Sequence, residues 1–90
     1  MSDVEIIDAA QTIEDYAVEA VDTLREMLAS EWLVCLLIQL AKDRATSIGA
    51  KEYGNAAYFK TISALIREIQ EEISDAIFYA AVACHIEENS

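Results

Sequence analysis

No proline interrupts this chain, and its only glycines, Gly49 and Gly54, lie five residues apart. Little in the sequence can therefore stop a helix, and 54% of the residues are apolar. That combination excludes disorder and disfavours an all-β fold, which needs frequent turns. The expected class is all-α: three helices, or four if the third breaks, forming a bundle that oligomerisation completes. Ninety residues make a single small domain over 1–90, and chains of this size often need a second subunit to bury enough surface.

Hydrophobic periodicity places the helices at about 3–28, 31–47 and 56–88. Ser2 with Glu5 fits a capping box for the first. Its apolar stripe is Ile6, Ala10, Ile13, Ala17, Ala20, Val21, Leu24 and Leu28. The opposite side carries Asp8, Asp15, Glu19, Asp22 and Glu26 within roughly a 60° arc. Ser30 is a natural N-cap for the second helix, which is apolar nearly all round from Trp32 to Leu40. Such a helix is expected at the centre of a domain or sandwiched in an oligomer. The loop is expected at Ile48–Asn55, with Asn55 capping the third helix. A helix from there to Glu88 would be roughly 50 Å long. It should kink or break near residues 61–63, or lie against another subunit. Its core stripe reads Ile62, Ile66, Ile69, Ile73, Ile77, Ala80 and Cys84.

The net charge of −11 is unevenly spread. Residues 1–31 hold nine acids and one base, residues 32–67 two acids and five bases, and residues 68–90 six acids and no base. Direct nucleic-acid binding is disfavoured, because phosphate contacts need clustered Lys and Arg. Acidic blocks suit a divalent cation, a basic protein partner or plain solvation. Cys35 and Cys84 fall in apolar runs and read as buried thiols of a reducing cytoplasm. The acidic N-terminus lacks the basic flank and cleavage site of a signal peptide. The Trp32–Leu40 run is too short to span a membrane. A cytoplasmic protein is expected.

Several chemistries drop out. Cys84 and the lone His85 are sequence neighbours, so on a helix they point about 100° apart and cannot form a nucleophile–base pair. His85 reads instead as a helix-end residue favoured by the dipole. No glycine-rich phosphate loop and no Cys/His zinc spacing occurs. What remains lies in Leu65–Ile86. Glu68, Glu71, Glu72 and Asp75 share one helical stripe, which turns apolar one turn later at Tyr79, Val82 and Ile86. Glu72 and Asp75, one turn apart, could approach one hard cation together, with Glu68 or Glu71 adding an oxygen.

The run Glu72-Ile-Ser-Asp75 through Tyr79 to Ile86 resembles the E-x-x-D helix of MazG-like, all-α nucleoside triphosphate pyrophosphohydrolases. The loop Lys51-Glu52-Tyr53-Gly54 is similar to that of phage-type relatives. The resemblance covers about the last 40 residues. It implies Mg²⁺ on Glu72 and Asp75, which would orient or activate a water, with Glu68 and Glu71 as the catalytic carboxylates beside them, either of which could help hold the ion. It also implies Lys51 or Lys60 on the phosphates of a nucleoside triphosphate, and Tyr53 or Tyr58 stacked on its base. The family's E-E-x-x-E motif on an earlier helix is not found: Glu52 stands alone in the expected window, and Glu14–Glu19 is off by one and too far upstream. Either the first helix, from this or another subunit, supplies the missing carboxylates, or catalysis has been lost. The rival expectation is a non-catalytic interaction protein. Its acidic first helix would mimic a phosphate track and occupy a basic groove on a partner. Merely solvated acids on an oligomeric helical protein are the third.

Overall fold

The computed structural model describes residues 8–46 and 58–90. They form three α-helices, with no strand among the described residues: α1 (Ala9–Ala29), α2 (Glu31–Thr46) and α3 (Ile62–Glu88). The all-α class holds. Among the described residues no helix is long and apolar enough to cross a membrane.

Each helix begins on a side-chain cap. Asp8 Oδ1 accepts the amide N–H of Gln11 at 3.1 Å, which satisfies one of the orphan donors of the first turn of α1. Residues 1–7, with the Ser2–Glu5 capping box, lie outside the described residues. Ser30 serves two helices at once. Its amide closes α1 on the Met27 carbonyl at 3.3 Å, and its hydroxyl accepts the Leu33 amide of α2 at 3.3 Å. The α1–α2 joint is therefore one residue long.

The third helix starts later than residue 56. Residues 58–60 turn, and Thr61 caps α3 by accepting the Ala64 amide at 3.1 Å. Asn55 and the glycine loop lie outside the described residues. At its other end Asn89 donates its backbone N–H and its Nδ2–H to the His85 carbonyl, at 3.1 and 2.8 Å.

The packing joins α1 to α3. Tyr16 and His85 meet ring to ring at 5.8 Å, and four residues further into each helix Ala20 and Ala81 are both 0% exposed. The two helices therefore run antiparallel. Two alanines at a crossing let helix axes approach to the short end of the usual 8–10 Å range. Thr12 is the one buried polar side chain among the described residues, and its hydroxyl is satisfied by the Asp8 carbonyl at 3.1 Å. Ile13, Ala17, Val21 and Leu24 of α1 and Ile77, Ala80 and Cys84 of α3 flank this seam, half-buried.

The register explains what the periodicity misplaced. Thirteen residues beyond Tyr16, α1 ends at Ala29; thirteen residues back from His85 is Glu72. The 27-residue α3 thus overhangs the 21-residue α1 by its first ten residues or so, about 15 Å. Ile62, Ile66, Ile69 and Ile73, expected in the core, lie along or beside this overhang and are exposed. Nor is α2 central. It touches α1 beside the joint, where Leu33 and Val34 are half-buried, and every residue from Cys35 to Thr46 is exposed. Cys35 is accordingly not a buried thiol, and Cys84 is only half-buried. The radius of gyration, 16.9 Å, exceeds the roughly 12 Å of a compact chain of this length.

The seam makes a direct prediction. Ala81→Leu should lower stability by about 1–3 kcal/mol through overpacking, read by urea unfolding followed by circular dichroism. Val18→Ala, at a site 70% exposed, should change it by less than about 0.5 kcal/mol. Equal effects would mean that the alanine contact is not the tight point of the fold.

Candidate functional site

The α3 carboxylates come first. Glu68, Glu71, Glu72 and Asp75 are all exposed on the N-terminal half of the helix. Lys60, from the turn before α3, reaches back to Glu68, Nζ to Oε1 at 2.6 Å. With both side chains substantially exposed, that pair contributes at most about 1 kcal/mol. Lys60, expected on the phosphates of a nucleotide, thus pairs with one of the expected site carboxylates. Glu71, Glu72 and Asp75 make no hydrogen bond or ion pair among the described residues. Lys51 and Tyr53 lie outside the described residues, and Tyr58 is 88% exposed.

A divalent cation needs oxygens converging from several directions. Among the described residues no group of three or more His, Cys, Asp or Glu side chains could hold a metal ion. Among the described residues the α3 row has one wall and lacks the opposing one. The first helix does not supply it within one copy. Its acids Asp8, Asp15, Glu19, Asp22 and Glu26 are all exposed, with Glu19 at the edge of the seam. They form a continuous ladder along α1. Asp15 accepts from the Gln11 side chain at 2.8 Å, and Asp22 lies 3.8 Å from Arg25.

The ladder continues onto α3 at one place. Glu19 joins Glu87 and Glu88 around an open cleft of about 270 Å³, with Tyr16 and Cys84 as its floor. Here Tyr16 stacks edge-on against His85, at an interplanar angle of 81°. Partial burial at the α1–α3 seam raises the Tyr16 phenol above its ordinary value of 10.0. The Glu88 carboxylate beside it, as a negative charge and a hydrogen-bond acceptor, adds to that, and Asn89 partly offsets it. This Tyr16–His85–Glu88 corner was not anticipated from the sequence. The signal was available: Tyr16 stands three residues after Ile13 and four before Ala20, on the inward side of α1.

Compared with known proteins, the chain matches no protein-family model, no curated protein and no solved structure. The resemblance to MazG-like enzymes therefore rests on the residues that carry it.

A raised phenol has a definite sign. Folding favours neutral Tyr16, so its contribution to stability is fully present below the unfolded pKa near 10.0 and is lost as pH rises through the higher folded value. Ultraviolet titration should show one of the four tyrosines ionising after the others, and Tyr16→Phe should remove that last step. Glu88→Gln should bring it to lower pH. An unchanged profile in both variants would contradict the corner described above.

Proposed function

We propose that this chain is a non-catalytic helical interaction protein that presents the acidic side of α1 to a basic surface on a partner. The observation that carries the reading is the exposure of Asp15, Glu19, Asp22 and Glu26 along one side of a helix whose other side is held by the seam. The spacings of four, three and four residues keep these carboxylates in line. Glu87 and Glu88 extend the line at the cleft. A fixed row of like charges costs helix stability in isolation, and a cationic partner removes that cost. Recognition of this kind raises association rates and weakens steeply with added salt.

A second reading keeps the resemblance to Mg²⁺-dependent nucleoside triphosphate pyrophosphohydrolases. Glu71, Glu72 and Asp75, exposed together and without partners among the described residues, favour it. It requires carboxylates from beyond the described part of one copy, and Mg²⁺, once held, would bind the triphosphate.

A pair of charge-matched variants separates the readings. One carries Asp15→Asn, Glu19→Gln, Asp22→Asn and Glu26→Gln; the other carries Glu68→Gln, Glu71→Gln, Glu72→Gln and Asp75→Asn. Binding to poly-L-lysine, followed by titration at several salt concentrations, should weaken by about tenfold or more in the first and far less in the second. Equal weakening would mean that total charge governs, and would contradict the α1 reading. Pyrophosphate release from deoxynucleoside triphosphates and Mg²⁺ by the wild-type chain, abolished in the second variant, would establish the nucleotide reading instead.

A further inference from the structure

The exposed α2 carries information about what covers it. Leu33, Leu36, Leu37 and Leu40 recur at spacings of three, one and three, so they share one stripe. Leu36, Leu37 and Leu40 are 43%, 42% and 54% exposed while Leu33 is half-buried beside α1, and among the described residues α2 makes no comparable packing with α3 of its own chain. Among residues 32–41 none is charged. An isolated helix of 16 residues is marginal in water, and one this apolar is not stable there alone.

The pattern is symmetric about the midpoint between Leu36 and Leu37. Laid antiparallel on itself about that point, α2 sets Leu33 against Leu40 and Leu36 against Leu37 of the second helix. At the ends, Glu31 comes level with Lys42 of the second helix. Parallel pairing would put Glu31 level with Glu31 and Lys42 level with Lys42. Antiparallel pairing also opposes the helix dipoles.

The area agrees. The chain exposes 7639 Å² at 10.0 kDa, whereas a compact monomer of that mass exposes about 5,200 Å². The surplus is on the order of 2,400 Å², a figure for the whole chain that includes residues 1–7 and 47–57, and each copy of an obligate dimer hides roughly 1,000–2,500 Å². The exposed stripe Ile62, Ile66, Ile69 and Ile73 on α3 offers the remaining apolar area.

We infer that the occupant of this face is a second copy of the chain, with the two α2 helices packed antiparallel on their leucine stripes in an isologous dimer. The contact is separate from the acidic side of α1 and leaves that side open.

Cross-linking tests both the partner and the direction. In a Cys35→Ser, Cys84→Ser background, Leu33→Cys and Leu40→Cys chains are prepared separately, mixed under reducing conditions and then oxidised. The expected product is a disulfide between a Leu33→Cys chain and a Leu40→Cys chain, with little linkage in either sample alone. Sedimentation velocity on the unsubstituted chain should give a dimer that dissociates on dilution. The fluorescence of Trp32, 74% exposed in one copy, should shift to the red as it does so. Linkage within each sample alone would overturn the antiparallel pairing. A monomer at every concentration, with no cross-linked product, would overturn the second copy as occupant. It would leave the α1 reading intact, because the charge-variant titration reads that face independently.

Discussion

The full burial of Ala20 and Ala81 in the α1–α3 seam is the constraint on which the rest of the described structure depends. Two side chains of one methyl each let the α1 and α3 backbones come together, and they set the register that brings Tyr16 to His85. No large side chain is fully buried among the described residues, so the seam supplies less apolar burial than a typical core. The caps at Asp8, Ser30 and Thr61 fix where the helices start, and each contributes about 1 kcal/mol by the usual scale.

That register decides what stays uncovered. With α1 ending level with Glu72, the first turns of α3 extend past it, carrying both the isoleucine stripe and the Glu68–Asp75 carboxylates. The one-residue joint at Ser30 turns α2 away after its first turn, so it does not fill the space beside the overhang. A chain of this size thus separates its surfaces. Carboxylates occupy the outside of α1, apolar side chains occupy α2, and the start of α3 carries a stripe of each.

Helix class and most helix limits could be read from the sequence, because the absence of proline and the cap at Ser30 act locally; the cap at Asp8 was missed, since that residue reads as one of the acids along the helix. The inward positions of α1, among them Ala17, Ala20 and Val21, followed from the 3.6-residue period. The same period misled for Ile62, Ile66 and Ile69. Periodicity shows which side of a helix is apolar but carries no term for how far the neighbouring helix extends. The α2 run left two coverings open, its own chain or a second subunit, and the exposure of residues 35–46 removes the first: an all-apolar helix must be covered, and the sequence does not say by what. Of the candidate site, the alignment of Glu68, Glu71, Glu72 and Asp75 was legible as spacing. The pairing of Glu68 with Lys60 depended on a turn that spacing alone does not place. The Tyr16–His85–Glu88 corner needed the antiparallel register, a long-range fact.

The central proposal is that the α1–α3 seam holds one copy together, while α2 beyond its first turn and the start of α3, exposed in one copy, are covered by assembly. Native-state hydrogen exchange measured across a protein dilution series tests it most directly. The account predicts that amides around Ala20 and Ala81 keep their protection at every concentration, whereas those of Leu36–Leu40 and Ile66–Ile69 lose theirs on dilution. Protection of α2 that is equal to the seam's and independent of concentration would contradict it.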